Sequence, residues 1–587
     1  MSYSHPYQDA EFVLRHIVDL DGLCEKAGLS EVNMDLALAI LDEAGKMGAE
    51  VLAPLNRVGD AQGAKLGPNG VEETPGFKDA YLQFAESGWL SLTVAEEFGG
   101  QNLPNVLSTA VNEIWHSANM AYALCPMLSQ GAMESIGHHA SEELKNAYLP
   151  KLATGEWTGT MNLTEPDAGS DLAAIKSKAI PEGDHYLISG QKIFITWGDH
   201  QMTNNIVHLV LARLPDAPPG VKGISLFVVP KFILNENGEP GERNGAHCLS
   251  LEHKLGIHGS PTCVMEFNNA VGYLVGEANK GLPYMFTMMN HARQAVGLQG
   301  LSISERAYQQ ALQYSKERLQ GTRRDGSRIP IIQHPDVRRM LMVMKSSIEA
   351  MRALALTAAA EIDRARYAQD AGEKALHSTR VELLTPIVKG WLTEMSQELT
   401  SLGIQVYGGM GYVEETGAAQ HYRDARILTI YEGTTGIQAL DFIGRKTLVD
   451  KGEGLLVLLQ EMEQTAAELQ AYPDASVVSN FAQALNNGSE AREWLLANAG
   501  QDPNLAGAAS VNFMMLFGYL CGGWLLAKGA LQAQAQLASG EGDADFLKAK
   551  CLSARFYSEH LLPRTQACLA AIKAGSESLM SMPEDKF

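Results

Sequence analysis

The sequence predicts an α+β protein of several domains, in which a helical N-terminal domain, a β domain, a helical bundle and a further helical domain follow one another. A chain of 587 residues is too long for one hydrophobic core, and its 45% hydrophobic content is enough to build several. The apolar spacing changes from helical to strand-like near residue 158 and returns to helical near residue 280. These changes, with a further helical region from near residue 455, place the predicted domains at 1–157, 158–279, 280–452 and 453–587.

The first two domains differ in the spacing of their apolar residues. In the first domain, apolar residues recur at helical spacing between glycine and proline breaks, which predicts helices. In the second domain, short strand-like runs are separated by clusters of glycine, proline and aspartate, which predicts a compact β domain. The strand-like runs lie at 186–188, 206–211, 224–229 and 263–267.

Helical spacing returns in the third domain and continues to the end of the chain. An apolar stripe on one predicted helix indicates packing in a bundle, with its methionines filling the core. The stripe consists of Val337, Met340, Leu341, Met344, Ile348, Met351 and Ala355. In the fourth domain we expect a polar break at 486–489 (Asn-Asn-Gly-Ser) and an acidic loop at 540–543 (Gly-Glu-Gly-Asp).

The composition argues against several classes of function. The formal net charge of −22 opposes a nucleic-acid partner, because such binding needs a clustered basic surface. The 7 cysteines are scattered, odd in number and without CxxC spacing, so we expect reduced thiols in the cytoplasm. The 16 histidines show no zinc-ligand spacing, so we expect no metal. Residues 1–20 lack a basic leader followed by an apolar core, so we expect no export signal.

One uncharged stretch, residues 505–527, is long enough for a membrane helix. Its serine, asparagine and several glycines lower its hydrophobicity, and its flanks lack a strong positive bias. We therefore expect a buried helix of a soluble bundle and no membrane span. Gly518 and Gly522, four residues apart, would then allow two helices to cross closely.

A single carboxylate, Glu432, is the candidate catalytic residue. It follows the apolar run 427–431 and precedes the glycine-containing segment 433–436. A carboxylate in such surroundings is poorly solvated, so its pKa should rise toward neutrality, where a general base works best. The same residues also fit a helix-terminal glutamate at the surface, and on these residues alone both interpretations stay open.

Four segments of the chain contain motifs of a known family. The segment 423–434, which contains Glu432, resembles the catalytic segment of the acyl-CoA dehydrogenases, flavoenzymes that desaturate acyl-CoA thioesters. Residues 405–412 resemble the glycine turn that receives the ADP half of FAD from the neighbouring subunit. Residues 161–171 resemble the main flavin signature, and 190–196 resemble the strand beside the isoalloxazine ring. The motifs occur in family order across roughly residues 80 to 445.

The resemblance implies a central β-barrel or β-sandwich domain between an N-terminal helical domain and a C-terminal four-helix bundle that carries Glu432. An additional C-terminal helical domain follows, which smaller family members lack. FAD is the implied cofactor, and Arg318 corresponds to an arginine that pairs with its pyrophosphate across the subunit interface. The implied FAD contacts are Met161, Leu163, Thr164, Ser170, Phe194, Ile195, Thr196, Arg318, Gln405, Gly408, Gly409 and Thr434.

Phe194 departs from the family pattern, because many members have tryptophan at that position. Trp197 lies close by in the sequence, so which of the two aromatic residues borders the flavin stays open. Phe194 also fits the core of a strand.

For the substrate, the resemblance implies contacts from Ser170, Arg293, Tyr431 and Gly433, with Arg293 facing the base. Arg293 also fits a helix surface, and Tyr431 also fits aromatic core packing. In the implied reaction Glu432 takes the α proton, while its own N–H and a flavin ribityl hydroxyl hydrogen-bond the thioester carbonyl. The β hydrogen leaves as hydride to the flavin.

The expected function is therefore dehydrogenation of an acyl-CoA to the trans-2-enoyl-CoA, with electrons passed to an electron-transfer flavoprotein. The length resembles a bacterial branch of the family that includes 3-methylmercaptopropionyl-CoA and fatty acyl-CoA dehydrogenases, and extended members of this kind tend to be homodimers. Such an enzyme would act in fatty acid metabolism and β-oxidation. The alternatives are an oxidase that uses oxygen, a flavin-containing DNA-binding alkylation-response protein, which the charge disfavours, and a scaffold without catalysis.

Overall fold

The computed structural model describes residues 3–587 and begins with a helical domain. Met1 and Ser2, the first residues of the predicted first domain and of the segment expected to lack an export signal, lie outside the described residues. The domain contains α1 (Tyr7–Val13), α2 (Leu20–Ala27), α3 (Met34–Met47), α4 (Ala53–Gln62), a hairpin of β1 (Lys65–Gly67) and β2 (Gly70–Glu72), α5 (Phe77–Glu86), α6 (Asn105–His139) and α7 (Glu142–Ala153).

Helix α6 is kinked at Asn119, whose backbone is extended (φ −158°, ψ 91°). The Asn119 side chain accounts for the kink, because its Oδ1 accepts the N–H of Tyr122 at 3.1 Å, as an N-cap does. Its Nδ2 donates to the carbonyl of Leu52 at 3.3 Å. The second half of α6 therefore starts with its own cap, and it carries Met127 and Ser129 between the sheet and the bundle.

The central domain is built on a 7-stranded sheet in the order β3-β6-β7-β11-β5-β4, with β10 paired to β11. Only β3 and β6 in this sheet run parallel; the other described pairs are antiparallel. The strands are β3 (Trp157–Asn162), β4 (Lys178–Glu182), β5 (His185–Thr196), β6 (Asn205–Ala212), β7 (Ser225–Pro230), β8 (Phe232–Leu234), β9 (Pro240–Arg243), β10 (Ala246–Leu251) and β11 (Thr262–Leu274). Every residue of β6 and β7 is buried, as expected for strands covered on both faces.

The third domain consists mainly of three long helices that pack along one another. Its elements are α8 (Gly281–Glu317), a hairpin of β12 (Leu319–Thr322) and β13 (Arg328–Pro330), α9 (Pro335–Tyr367), α10 (Ala371–Tyr407), α11 (Ala418–Ala425) and α12 (Thr435–Leu440). A 3-10 turn, Arg426–Thr429, precedes the segment with Glu432, and a π-helical turn, Asp441–Leu448, follows α12. The predicted apolar stripe lies on α9, and all its members except the half-buried Val337 are buried.

The last domain is helical, with α13 (Glu453–Glu468), α14 (Ala475–Asn498), α15 (Leu505–Ser539), α16 (Ala544–His560), α17 (Arg564–Lys573) and α18 (Glu577–Met580). The predicted break at 486–489 is wrong, because α14 is continuous there. Tertiary packing explains this: the buried Asn487 donates to Thr565 Oγ1 at 3.0 Å. Gly488 lies against Leu520, where an added Cβ would come within 2.7 Å of a methyl carbon. The predicted acidic loop at 540–543 does separate α15 from α16.

Helix α15 contains the uncharged stretch and is long and apolar enough to cross a membrane by length and composition alone. Of its most apolar window, 67% is buried inside the protein. The helix packs against α10, where an added Cβ on Gly518 would lie 2.1 Å from Trp391 Cγ. This close crossing is the one that the spaced glycines predict, and the packing favours the interpretation of α15 as a core helix.

A buried ionic network joins the first, third and last domains. The Arg352 guanidinium on α9 contacts Glu113 of α6 and Glu305 of α8, both at 2.7 Å. The Lys550 ammonium on α16 contacts Asp9 of α1 at 3.0 Å.

The order of the helices and strands along the chain confirms the predicted order of the domains: helical, β and helical, followed by the extra C-terminal helical domain.

Candidate active site

Glu432 lies in a half-buried turn between the 3-10 turn Arg426–Thr429 and α12. Its backbone is left-handed (φ 55°), and so is that of Gly433 (φ 87°). A left-handed conformation is uncommon for a glutamate and indicates that the surroundings impose it. The interpretation as a surface residue at a helix end is wrong, because Glu432 is half-buried and lies outside the helical turns on either side.

Two buried side chains hold the carbonyl groups of this turn. Gln438 Nε2 donates to the carbonyl oxygens of Glu432 at 3.2 Å and Gly433 at 3.4 Å. Lys389 Nζ, from α10, donates to the Gly433 carbonyl at 2.6 Å. Glycine is needed at position 433, because its backbone is left-handed (φ 87°), and an added Cβ would also displace the Gln438 amide that lies 2.7 Å away. The turn is therefore fixed from inside the protein.

The backbone N–H and the carboxylate of Glu432, unlike its carbonyl, have no hydrogen-bond partner in the described part of the protein. Burial raises the pKa of Glu432 to about 7, and the charges of Arg293 and Lys389 oppose this rise. A carboxyl with this pKa is a competent general base near neutral pH.

Arg293 of α8 is only 9% exposed, so the helix-surface alternative for it is wrong. Its guanidinium lies 3.9 Å from Asp441, and its buried Nε has no hydrogen-bond partner among the described residues. Burial lowers the pKa of Arg293, while the charges of Asp441 and Glu432 raise it. Arg293 is thus a buried cation whose charge acts on Glu432, and its predicted contact with the substrate stays a prediction.

Tyr431, beside the base, is half-buried and ties the turn to α6 and α8. Its hydroxyl donates to Gln299 Oε1 on α8. The fully buried Gln299 in turn donates from Nε2 to Met127 Sδ on α6, at 3.3 Å. Tyr431 therefore has a specific hydrogen bond in addition to aromatic packing.

The predicted flavin signature and flavin strand lie side by side in the central sheet. Ile193 N–H donates to the carbonyl of Thr164 at 2.9 Å, and Lys192 Nζ donates to the carbonyl of Leu163 at 2.9 Å. Lys192 also pairs with the buried Glu165 at 2.8 Å. Met161 is half-buried at the end of β3. Helix α6 contacts both parts of the site, because Ser129 Oγ accepts the N–H of Gly159 on β3 at 3.0 Å.

Phe194 and Trp197 both have left-handed backbones, but they occupy opposite environments. Phe194 is 59% exposed, so the strand-core alternative is wrong for it. Trp197 is 1% exposed, and its Nε1 donates to the carbonyl of Ala121 at 3.1 Å. Phe194 is therefore the aromatic residue that a ligand can reach. Ile195, predicted to contact FAD, has its side chain in the core of the sheet, and Thr196 is half-buried on β5.

The predicted adenine and pyrophosphate contacts form a separate group at the ends of α8 and α10. Gly408 is left-handed (φ 60°), and a Cβ added to it or to Gly409 would meet no atom within 4 Å. The exposed Gln405 lies in the last turn of α10. The exposed Arg318 follows α8, whose Tyr314 stacks on Tyr407 of α10 with ring centroids 4.0 Å apart.

Ser170 and Thr434 complete the predicted contacts. Ser170 is exposed in the loop after β3. Thr434 is exposed and caps α12, because its Oγ1 accepts the N–H of Ile437 at 3.3 Å. The structure thus brings Arg293, Tyr431, Glu432 and Gly433 together and places the flavin strands across α6. In the described residues, no hydrogen bond joins Glu432 to the group around Gly408.

Sequence reasoning missed Lys389, Gln438 and Gln299, which hold the turn. Lys389 could have been found from the sequence, since it is the only charged residue in the apolar run 383–392.

A cavity of about 380 Å³ lies away from Glu432. It is lined by Arg57, Gln310 and other residues of α4, α8 and the loop before α11.

Comparison with known families assigns each part of the chain. The family model for the acyl-CoA dehydrogenase N-terminal domain matches residues 38–156, and that for the middle domain matches 160–270. The model for the acyl-CoA dehydrogenase C-terminal domain matches 279–448. The model described as acetyl-CoA dehydrogenase C-terminal like matches 458–583.

Several curated relatives match nearly the whole chain, and two of them are described below. The 3-methylmercaptopropionyl-CoA dehydrogenase of Ruegeria pomeroyi is 48% identical over 587 residues, covering 99% of this chain and 100% of that protein. A butyryl-CoA dehydrogenase of Syntrophomonas wolfei is 35% identical, covering 100% of this chain and 99% of that protein.

Solved structures share the fold. An acyl-CoA dehydrogenase complexed with FAD from Bacillus anthracis superimposes with a TM-score of 0.73 at 23% identity, covering 94% of this chain and 90% of that chain. A chain from structural work on the electron transferring flavoprotein of Acidaminococcus fermentans has a TM-score of 0.58 at 26% identity, covering 69% of this chain and 96% of that chain.

Proposed function

The chain belongs to the acyl-CoA dehydrogenase family, and we propose that it converts an acyl-CoA thioester to the trans-2-enoyl-CoA with Glu432 as the base. The observation that carries this proposal is the left-handed turn at Glu432, which gives one residue a free carboxyl with a pKa near 7 and a free N–H.

The free carboxyl of Glu432 takes the α proton of the thioester. An α proton is weakly acidic, so the base must be ionised at working pH and must not be occupied by hydrogen bonds. Arg293 and Lys389 supply positive charge that favours the ionised form, although burial still raises its pKa to about 7. Proton removal is therefore expected to become faster as the pH rises through about 7.

The free N–H of Glu432 hydrogen-bonds the thioester carbonyl oxygen, on which negative charge develops as the proton leaves. One such donor contributes about 3–4 kcal/mol to stabilising the transition state. Lys389 and Gln438 hold the neighbouring carbonyls away from the substrate, so the donor is already oriented before binding.

The residues present fit FAD as the cofactor. Phe194 exposes an aromatic ring from a left-handed position beside the signature strand, and the open glycine turn at Gly408 leaves its backbone accessible. Arg318 offers an exposed guanidinium, whose charge suits a pyrophosphate. When bound, FAD accepts the β hydrogen as hydride. The chain's own residues position the thioester and move the proton.

The proposed substrate is a short acyl-CoA, with 3-methylmercaptopropionyl-CoA as the first candidate and a fatty acyl-CoA as the alternative. The 48% identity to a 3-methylmercaptopropionyl-CoA dehydrogenase over the full length supports this choice.

We propose that electrons pass to an electron-transfer flavoprotein and that the enzyme is a cytoplasmic homodimer of fatty acid metabolism. The likeness to a chain from the Acidaminococcus fermentans flavoprotein work supports this acceptor. The group around Arg318 and Gly408 lies at the surface, as a site shared with a second copy requires.

The test is an anaerobic titration of the FAD-loaded protein with a panel of acyl-CoAs, including 3-methylmercaptopropionyl-CoA and butyryl-CoA, while the visible flavin absorbance is recorded. We expect one chain class to bleach the flavin. Glu432→Gln should retain FAD and slow bleaching by about 10²–10⁴-fold, because the general base is lost. If no thioester bleaches a fully loaded flavin, the proposal is wrong. Reoxidation by the flavoprotein in place of oxygen excludes an oxidase.

A further inference from the structure

Lys389 occupies an unusual position for a lysine. It lies in the middle of α10 and is 0% exposed. Its Nζ donates to the Gly433 carbonyl at 2.6 Å. No carboxylate in residues 3–587 forms an ion pair with this Nζ, and the charges of Glu432 and Glu394 act on it only through space.

Holding the turn does not by itself require a lysine. Gln438 already donates to the same carbonyl from a neutral and fully buried side chain. A buried ammonium costs desolvation free energy that a neutral donor avoids. The positive charge, and not only the hydrogen bond, therefore needs an explanation.

The charged and titratable groups around Glu432 come from several elements. Arg293 faces it from α8 and Lys389 from α10, and both charges favour its ionised form. Asp441, on the π-helical turn, offsets part of the charge of Arg293, and Glu394 on α10 acts on Lys389. The Tyr431 hydroxyl, beside the base, is engaged with Gln299.

We propose that Lys389 is a positioning residue for the reaction: its ammonium holds the Gly433 carbonyl, fixes Glu432 in the left-handed conformation, and supplies positive charge that favours the ionised base near neutral pH. The carbonyl of Gly433 lies on the residue directly after the base, so the hydrogen bond and the charge act on one turn. Arg293 also favours the ionised form of Glu432, but Asp441 lies 3.9 Å from its guanidinium and shares its charge. This inference rests on the proposed role of Glu432.

The protonation equilibria agree with the geometry. Burial lowers the pKa of Lys389 to about 8, and the Glu432 charge opposes that decrease. The pKa of Glu432 lies near 7. Between these values both groups are charged, so the ionised base and its cation exist together in the neutral range.

The first test is a double-mutant cycle on the FAD-loaded protein, which needs no substrate. The variants are Lys389→Met, Glu432→Gln and the double variant, each with its Tm measured at about pH 7.5 and about pH 5.5. At the higher pH, Lys389→Met should lower Tm more in the wild-type background than in the Glu432→Gln background, because only the former loses an attraction between charges. At the lower pH the two losses should become equal. Equal losses at both pH values would overturn the proposal.

Lys389→Gln distinguishes charge from hydrogen bonding, and it also serves if Lys389→Met does not accumulate. It keeps a donor without the charge, so we expect it to behave like Lys389→Met in the cycle. If Lys389→Gln matches the wild type at both pH values, the charge has no role and the proposal is wrong.

The second test is the pH profile of flavin reduction by the best acyl-CoA. Loss of the cation should move the acid limb upward by about one pH unit in Lys389→Met, with the substrate KM little changed. Lys389→Arg, which keeps the charge, should restore the midpoint. An unmoved acid limb with a lower rate would show a structural role only. If wild type is not reduced by any thioester, the proposed function fails, whereas the stability cycle still tests the coupling of Lys389 to Glu432.

Lys254 provides a matched control. It also donates to a backbone carbonyl, that of Ser260 at 2.9 Å, and burial lowers its pKa to about 8. Its loop contacts α11 and not the Glu432 turn. Lys254→Met should leave the acid limb in place and show the same Tm loss with and without Glu432→Gln.

Discussion

Each half of the site contains one buried lysine. Lys192 forms an ion pair with a neighbouring carboxylate, whereas Lys389 forms none among residues 3–587. Lys192 pairs directly with Glu165 at 2.8 Å, and Ser177 Oγ also donates to Glu165 at 2.6 Å. Lys389 donates to a carbonyl and leaves the carboxylate of Glu432 without a hydrogen bond in the described chain. Burial lowers the pKa of both lysines to about 8.

The carboxylates respond differently because only one is hydrogen-bonded. Burial by itself raises the pKa of Glu165, but Lys192 and the hydrogen bonds hold it below its usual range. Burial raises the pKa of Glu432 to about 7, and distant charges oppose this only in part. Glu165, which has a structural role, accepts several hydrogen bonds and stays ionised. Glu432, the candidate base, accepts none from the described residues, so its pKa lies where it can take up a proton.

The largest expected loss of stability comes from breaking the buried ion pair between Lys192 and Glu165. Glu165→Gln leaves Lys192 buried without its counter-charge, and breaking such a pair costs about 3–5 kcal/mol. We therefore expect a large fall in Tm together with weaker FAD retention, measured by thermal unfolding and by the flavin content of the purified protein.

The exposed pair next to it is the control for that variant. Lys176 and Asp167 form an ion pair at 2.5 Å in the same loop, but both side chains are exposed. Asp167→Asn should leave Tm nearly unchanged, since exposed pairs contribute little. A similar loss of stability in both variants would show that the loop as a whole, and not the buried pair, fastens the strands.

Glu432→Gln should change stability in the opposite direction and only at higher pH. The pKa of Glu432 in the folded protein lies above that in the unfolded chain, so its favourable contribution is present at acid pH and is lost as the pH rises through about 7. We expect Tm of the variant to exceed that of the wild type at about pH 8 and to match it at about pH 4.5. A constant difference across this range would show that Glu432 is an ordinary ionised carboxylate.

The smallest loss of stability is expected at the contact between α15 of the last domain and α10, two residues after Lys389. Gly518→Ala would place a Cβ 2.1 Å from Trp391 Cγ, and overpacking of this kind costs about 1–3 kcal/mol. Denaturant unfolding measures the loss. Gly507→Ala on the same helix is the matched control, because a Cβ there meets no atom within 4 Å and alanine favours a helix. Equal stability of the two variants would mean that the crossing is loosely packed.

The sequence was most informative where local chemistry acts alone. The order of helical and strand-like segments predicted the order of the domains, and the apolar flanks of Glu432 predicted a raised pKa. It failed at 486–489, where Asn and Gly indicate a break but the buried contacts of Asn487 and Gly488 keep α14 continuous. It also could not separate Phe194 from Trp197, since both are aromatic residues near one strand end and only packing makes one exposed and the other buried.

By itself, the sequence determined the family motifs, the domain order and the identity of the candidate base, because these depend on residue type and spacing along the chain. Only the tertiary structure decided how that base is held. Lys389 lies 43 positions before Glu432 and Arg293 lies on another helix, so their effect on one turn depends on how α8, α10 and α15 pack. Burial and electrostatic fields are properties of that packing, and they set the conformation and the pKa of Glu432.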